Sequence, residues 1–195
     1  MRLVLVTICI TLLAAEAAQA IDCGFAHKRP TGARVGTAPL AIGDSVMLGA
    51  ASALAHKGFE VDARCARNPA EGLGILRQRR RRGTLPEIVV MALGTNIAIS
   101  ARDIGRMLRV VGHRRTLMLV TPFRSWHPFH TQPMRRVARH HPRRVKLIDW
   151  SARATGNRQW FWSDGTHLRT AGEFAYARLL RDRAWSRQRG RFGAS

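Results

Sequence analysis

Acidic side chains are scarce in this sequence, which has 12 Asp and Glu against 33 Lys and Arg and a formal net charge of +21. So basic a chain attracts polyanions such as nucleic acids, acidic cell-wall polymers and anionic membrane surfaces. Charge alone indicates non-specific attraction, and we expect no specific nucleic-acid partner. The densest cluster, RQRRRRG at residues 77–83, ends a helical pattern, where cations complement the helix dipole and Gly83 supplies the C′ residue. Dedicated polyanion binding is the alternative for this cluster.

Clusters of cysteines or acids that could complete a metal site are also missing. His127 and His130 lie in HPFH, and His140 and His141 are adjacent, but zinc demands further ligands at suitable spacing. Pro128 disfavours a regular helix that would place the first two histidines on one face. We therefore expect no metal and no other cofactor.

Internal repeats and long linkers are absent, and the long apolar run is confined to residues 3–15. This run follows Arg2 and precedes AQA at residues 18–20, the pattern of a signal peptide cleaved after Ala20. The run is shorter than the about 20 residues of a membrane span, so we expect no stable membrane span after cleavage. The sequence thus predicts a protein that is secreted or periplasmic, in the cell envelope.

The residues left after cleavage suit one domain around one core, and we expect a monomer. We predict an N-terminal segment at 21–37, the domain at 38–184 and a basic flexible tail at 185–195. Short apolar runs alternate with helical segments, which favours an α/β fold, a three-layer α/β/α sandwich around a five-stranded parallel sheet. The predicted strands are 39–43, 59–63, 87–93, 116–121 and 145–149.

Two cysteines, Cys23 and Cys65, remain when cleavage removes Cys9. An even pair in an oxidising compartment permits a disulfide. The sequence does not show whether their Cα atoms lie within the roughly 4.4–6.8 Å that a disulfide requires, so the pairing is left open.

Polar residues that could form a catalytic site lie in three short stretches. GDS ends at Ser45 and LGTN ends at Asn96, both just after predicted strands, while DGTH places Asp164 three residues before His167. Ligand sites in such sheets lie beyond the carboxyl ends of the strands. A serine becomes nucleophilic when a histidine takes its proton and a carboxylate orients that histidine, and an amide can stabilise the oxyanion. Taken singly, each stretch is also explained as a helix cap, a turn or a surface hydrogen bond.

Together, GDSV, ALGTN and DGTHL resemble blocks I, III and V of the SGNH/GDSL hydrolase superfamily. The text around them, including VDARCAR, LIDW and HLRTAGEFAYARLL, is similar to the SGNH domains found with bacterial peptidoglycan O-acetyltransferases and their secreted esterase relatives. The resemblance covers residues 38 to about 180. It implies a flavodoxin-like α/β/α fold, with Ser45 as nucleophile, His167 as base and Asp164 as the orienting acid.

The same resemblance implies an oxyanion hole made by the backbone N–H of Ser45, a block II backbone N–H and the side chain of Asn96. Block II is usually a glycine, and here Ala66 in CARN stands in its place, with Gly72 as the alternative. Block III also departs from the family pattern, because Ile97 rather than a second polar residue follows Asn96.

The function implied is a secreted serine esterase that acts on acyl esters, acetyl above all, of a carbohydrate or cell-wall polymer. Two alternatives are an O-acetyltransferase to a cell-wall sugar and a non-catalytic basic binder of polyanions or cell wall on a hydrolase fold. We favour the esterase, because the chain has no multi-span acyl-donor domain of its own. Trp160, Phe161 and Trp162, just before Asp164, are either core residues or the lining of a sugar- or acyl-binding surface.

Overall fold

The structure of the protein is a computed structural model that describes residues 24–126 and 128–192, with side chains up to residue 186. The predicted signal peptide at 1–20 and Cys23 lie outside these residues. Within them, no helix is both long enough and apolar enough to cross a membrane.

A six-stranded sheet forms the centre of the molecule, in the order β1-β3-β2-β4-β5-β6. Its strands are β1 (Phe25–Lys28), β2 (Leu40–Gly43), β3 (Glu60–Arg64), β4 (Ile88–Ala92), β5 (Thr116–Val120) and β6 (Val145–Ile148). Strands β2 to β6 are parallel and match the five predicted strands, and their order is that of flavodoxin-like sheets. All residues of β2, β4 and β5 are buried, which explains their nearly continuous apolar sequences.

The prediction of five strands missed β1, and with it the start of the sheet before residue 38. Strand β1 pairs antiparallel with β3 at the edge of the sheet. Its four residues FAHK are mostly exposed, Phe25 at 78%, so they form neither an apolar run nor an alternating pattern. An exposed edge strand therefore gives little signal in the sequence.

Helices cover both faces of the sheet, which confirms the predicted three-layer sandwich. They are α1 (Ser45–Gly49), α2 (Ala51–His56), α3 (Pro69–Arg81), α4 (Ala101–Val111), α5 (Gln132–His140), α6 (Trp150–Ala154) and α7 (Thr170–Phe192). One apolar cluster joins α1, α2, α6 and α7 to one face of the sheet, and another joins α3, α4 and α5 to the opposite face. Capping boxes formed by Asn68 with Glu71 and by Ser100 with Asp103 start α3 and α4.

Helix α7 continues to Phe192, through most of the segment predicted to be a flexible tail from residue 185. At the start of that segment the Trp185 ring packs edge-on against the buried Phe59 ring, with centroids 5.1 Å apart. This apolar contact holds Trp185, the first residue of the predicted tail, against the core. The basic composition of the segment hid that contact.

Candidate active site

Ser45 is the first residue of α1 and follows directly on the end of β2. Gly43 permits the sharp entry into the helix, because a Cβ there would lie 2.4 Å from Cβ of Met47. Asp44 caps the helix, since its Oδ1 accepts a hydrogen bond from the Val46 N–H at 3.1 Å. The N–H of Ser45 donates to no acceptor among the described residues, so it stays available at the helix N-terminus.

His167 brings the predicted nucleophile and acid together. Its Nε2 lies 3.0 Å from Oγ of Ser45, and its Nδ1 lies 2.5 Å from Oδ2 of Asp164. With the Nδ1 proton donated to the carboxylate, Nε2 is free to accept the serine proton. The arrangement is therefore that of a nucleophile, a base and an orienting acid in series.

Asp164 is fixed within a tight turn before α7. Its Oδ1 accepts the N–H groups of Thr166 at 2.8 Å and His167 at 2.9 Å. Burial alone would raise the pKa of Asp164, but the hydrogen bonds from the His167 ring and from these two N–H groups hold it below its ordinary value. Gly165 is required in this turn, because its φ is +64° and a Cβ would lie 1.8 Å from Oγ of Ser125.

The loop between β5 and α5 supports the Asp164 turn from outside. The Ser125 N–H donates to the Gly165 carbonyl at 2.9 Å, and Nε1 of Trp126 donates to the Asp164 carbonyl at 3.0 Å. Nε of Arg124 also donates to the Thr166 hydroxyl at 3.0 Å. Sequence reasoning missed this support, since these residues lie about forty positions from the turn and belong to none of the family blocks.

The three residues predicted to form an oxyanion hole follow three adjacent strands. In the sheet Gly43 of β2 lies between Ala63 of β3 and Ala92 of β4. Ser45, Ala66 and Asn96 come shortly after these positions, at the same carboxyl edge. The structure thus brings these chain segments to one place.

Ala66 has a φ of +54°, the only positive φ of a non-glycine residue in the described part of the chain. The left-handed region favours glycine, so the backbone at Ala66 has a conformation that a glycine would adopt with less strain. The Ala66 N–H makes no hydrogen bond to another described residue. Gly72, the alternative, lies inside α3, and its N–H already donates to the Asn68 carbonyl at 3.2 Å.

Arg67 ties the Ala66 turn to the strand that leads into Ser45. It is 6% exposed, and Nη1 donates to the carbonyls of Gly43, at 3.2 Å, and Asp62. Nη2 also donates to Oδ1 of Asp62 at 2.6 Å. Sequence reasoning missed this residue, because a buried arginine cannot be told from the exposed arginines around it by composition.

Asp44 combines a hydrogen-bonded and an unbonded carboxylate oxygen. The residue is 1% exposed, and its Oδ2 has no hydrogen-bond partner among the described residues. Burial raises the pKa of Asp44 to about 6, although the Val46 N–H, the hydroxyl and N–H of Thr95 and the charge of His167 all act to lower it. Tyr176 lies opposite across a small cavity, and burial, together with the Asp44 charge, raises the pKa of its hydroxyl.

The aromatic residues near the site divide into core and surface. Trp150 is 1% exposed and stacks on Trp160 with centroids 5.8 Å apart, so both belong to the core side of the site. Trp162 and Trp126 are exposed at 44% and 67%, Trp162 two residues before Asp164 in the chain and Trp126 hydrogen-bonded to the Asp164 carbonyl. The Arg169 guanidinium lies 4.9 Å from the Trp162 ring. These two exposed rings are the candidates for contacts with substrate.

Two further predicted sites concern cysteine and histidine. Cys65 is disulfide-bonded, while Cys23, the candidate partner whose pairing the sequence left open, lies outside the described residues. In the part of the chain that the structure describes, no three His, Cys, Asp or Glu side chains come together as a metal site. His127 of the HPFH stretch lies outside that part.

Similarity to known proteins was found with curated sequences and with solved structures, whereas no family model matches the chain. The chain is 28% identical over 144 residues to the Bacillus subtilis protein named "Putative peptidoglycan O-acetyltransferase YrhL". The match covers 72% of this chain and 23% of YrhL, so the chain spans about a quarter of the length of that relative.

The C-terminal catalytic domain of Streptococcus pneumoniae peptidoglycan O-acetyltransferase A is a close structural match. It superposes with a TM-score of 0.69 at 22% identity, over 80% of this chain and 96% of that domain. The protein has the fold of the SGNH hydrolases. A family 3 carbohydrate esterase of Talaromyces cellulolyticus shares this SGNH fold, with a TM-score of 0.52 and 16% identity over 77% of this chain and 97% of that one. These matches confirm the family resemblance at the level of fold.

Proposed function

We propose that the protein is a secreted or envelope-located serine esterase of the SGNH type, which cleaves acyl esters, acetyl above all, of a carbohydrate or cell-wall polymer. The observation that carries the proposal is the continuous contact from Ser45 through His167 to Asp164, at 3.0 Å and 2.5 Å. The names of the relatives, a peptidoglycan O-acetyltransferase and a carbohydrate esterase, support an ester of a sugar as the substrate class.

The reaction proceeds in two steps. Oγ of Ser45 attacks the ester carbonyl while its proton passes to Nε2 of His167. The resulting oxyanion is stabilised by the N–H groups of Ser45 and Ala66 and by the Asn96 amide. His167 then gives the proton to the departing alcohol, which leaves an acyl group on Ser45. Water, activated by the same histidine, releases the acid and restores the serine.

Asp164 holds His167 in the orientation and tautomer that both steps require. Its carboxylate is ionised over the neutral range, because its pKa lies below the ordinary value. The negative charge stabilises the imidazolium that forms during each attack and holds the Nδ1 proton in place.

Hydrolysis of a short-chain aryl acetate by Ser45→Ala tests the proposal. We expect the rate to fall by several orders of magnitude, because removal of a serine nucleophile leaves only the contribution of binding and the oxyanion hole. Ser151→Ala is the matched control, since it removes another serine at the first turn of a helix. Thermal unfolding must show that both variants are folded. Near-wild-type turnover by Ser45→Ala would exclude the serine mechanism.

A fluorophosphonate probe distinguishes the enzyme from a non-catalytic binder. The wild-type chain should be labelled at Ser45, and His167→Ala should lose labelling, because the probe reports an activated serine. A folded wild-type chain that is not labelled would favour the binder.

Transfer to a sugar hydroxyl is the second candidate, favoured by the 28% identity to YrhL. The two activities differ only in whether water or a sugar takes the acyl group from Ser45. Incubation with an aryl acetate and a peptidoglycan oligosaccharide separates them. Release of free acetate at the same rate with and without the sugar supports the esterase, whereas acetylated sugar as the main product supports the transferase.

A further inference from the structure

A cationic cleft of about 440 Å³ lies at the edge of the sheet opposite Ser45. It is lined by Arg80, from the last turn of α3, and by His113, Arg114 and Arg115, from the turn between α4 and β5. These residues precede the strands β4 and β5, whereas Ser45 follows the end of β2. The cleft, called the Arg80 cleft below, is therefore separate from the proposed active site.

The arginines of the Arg80 cleft have no carboxylate partner among the residues that the structure describes. Arg79, the neighbour of Arg80 in the chain, shows the contrast. It is 6% exposed and pairs with the fully buried Glu60, so its charge is neutralised inside the fold. The charges of Arg80 and Arg114 are left for an external anion.

Arg115 is fixed in place by the backbone. Its Nε donates to the Leu85 carbonyl at 2.9 Å, and its Nη1 donates to the Val111 carbonyl at 3.4 Å. Arg144 fixes the same turn, since its Nη2 donates to the carbonyls of Leu108 at 2.9 Å and Gly112 at 3.1 Å. Arg115 and the end of α4 are thus held in place on this side of the cleft.

Two like charges are held close together in the lining of this cleft. Nη1 of Arg80 lies 3.5 Å from the point where a Cβ would sit on Gly112, so the side chain folds across the end of α4. Burial, and then the charge of Arg80, hold the pKa of Arg115 below its ordinary value. Close cations without a counter-ion repel each other, and a bound anion removes that repulsion.

We propose that the Arg80 cleft binds phosphate groups of a flexible linear polyanion other than a nucleic acid. Guanidinium groups present paired donors that match the oxygens of phosphate. Arg77, Arg81 and Arg82 are exposed in the last turns of α3 and at its C-cap, so the positive surface extends beyond the four residues of the cleft. The site attaches the protein to a polyanion at the edge of the sheet where the proposed catalysis does not occur.

Inorganic polyphosphate of defined chain length is the probe for this site, with binding measured by calorimetry at several salt concentrations. The cleft variant is Arg80→Gln/Arg114→Gln. The matched control is Arg102→Gln/Arg136→Gln, which removes the same charge from exposed positions of α4 and α5 outside the cleft. Since a hydrogen bond to a charged group contributes about tenfold in affinity, we expect the cleft variant to bind about a hundredfold more weakly. The control, which removes long-range attraction only, should lose roughly threefold or less.

The comparison between the two variants decides the proposal. Equal losses in both would show attraction by net charge alone and overturn it, and so would unchanged binding by a folded cleft variant. Arg114→Gln alone, an exposed substitution, repeats the test if the double variant unfolds. Duplex DNA under the same conditions is the second arm. Tighter binding of DNA than of polyphosphate, lost in the cleft variant, would overturn the proposal in favour of a nucleic-acid site.

Discussion

Asp44 shows at the scale of one residue how the helix that carries Ser45 is held. Its Oδ1 caps that helix, and its Oδ2 faces a small cavity without a partner among the described residues. A carboxylate in this position is more costly to ionise in the folded protein than in the unfolded chain. The cap therefore works at the expense of stability whenever the carboxyl is charged.

This conflict predicts a pH-dependent stability that depends on Asp44. The pKa of Asp44 is about 6 in the folded protein, raised from an ordinary value of 3.8. The stability that the protonated Asp44 carboxyl allows is therefore fully present below pH 3.8 and is lost as the pH rises through 6. A shift of this size corresponds to about 3 kcal/mol. Asp44→Asn keeps the oxygen that caps Val46 but cannot ionise. Relative to wild type, the variant should gain about 2.4 kcal/mol in unfolding free energy between pH 4 and pH 8, because part of the full effect is already present at pH 4.

Urea unfolding of both proteins at the two pH values measures this gain. Other titrating groups are common to the two proteins and cancel in the comparison. A difference between Asp44→Asn and wild type that does not change with pH would contradict the prediction.

Ala66 gives a second prediction at this scale, because its φ of +54° strains any residue with a Cβ. Ala66→Gly keeps the N–H, so kcat should be unchanged while the free energy of unfolding rises by about 1 kcal/mol. Asn96→Ala deletes a side-chain donor instead and should lower kcat by about 10²–10³. Kinetics with an aryl acetate and urea unfolding test the pair. If Asn96→Ala had no effect on kcat, the predicted role of Asn96 would be wrong.

At the scale of elements, the Ala66 turn is positioned by Arg67, which connects it to the ends of β2 and β3. Arg67→Met should lower kcat at least about tenfold with little change in KM, because a displaced N–H no longer meets the oxyanion. Arg67→Lys keeps the charge and should recover part of the loss. Arg64→Met is the control, since Arg64 forms a half-exposed ion pair with Glu71 next to the same turn.

The split between kcat and stability separates positioning from simple structural support. A folded Arg67→Met enzyme that is less stable but has an unchanged kcat would show that Arg67 supports the fold alone.

The elements that could be predicted from the sequence are those whose environment is uniform along their length. Strands β2 to β6 are buried on both faces or nearly so, and α3 and α4 begin with capping residues, so local sequence specifies them. Strand β1 and the end of α7 depend on contacts with distant residues, such as Trp185 with Phe59. No local pattern encodes such a contact, and both were missed.

The candidate site divides in the same way. Ser45, Asp164 and His167 lie in short stretches whose spacing follows from the chemistry, and the structure places them in hydrogen-bonding distance. Arg67 and Arg124 hold the two turns of the site. Arg67 is buried and donates to backbone carbonyls, whereas Arg124 donates to a hydroxyl 42 positions away in the sequence. In a chain with 33 Lys and Arg, two structural arginines are indistinguishable from the others by sequence alone.

At the scale of the whole molecule, the disulfide of Cys65 restricts the unfolded chain. We predict that Cys23 is the partner. Reduction should lower the free energy of unfolding by about 2–4 kcal/mol, because cross-links of this kind remove conformational freedom from the unfolded state. Thermal unfolding with and without dithiothreitol tests this. Cys65→Ser should already be destabilised and should not respond to dithiothreitol, and a response of that variant equal to the wild type would contradict the prediction.

The nucleophile Ser45 and its base His167 are 122 residues apart in the sequence, and each is positioned by a different element of the fold. Ser45 is placed by the first parallel strand, and His167 by the turn that precedes the last helix. A partly folded chain can therefore hold either residue but not the pair, and labelling by a serine-directed probe reports only molecules whose first and last elements have met. During refolding, the regain of labelling should follow the slowest step of assembly rather than the earlier formation of helices seen by circular dichroism. The rate at which Ser45 regains labelling then measures the rate at which the whole fold is completed.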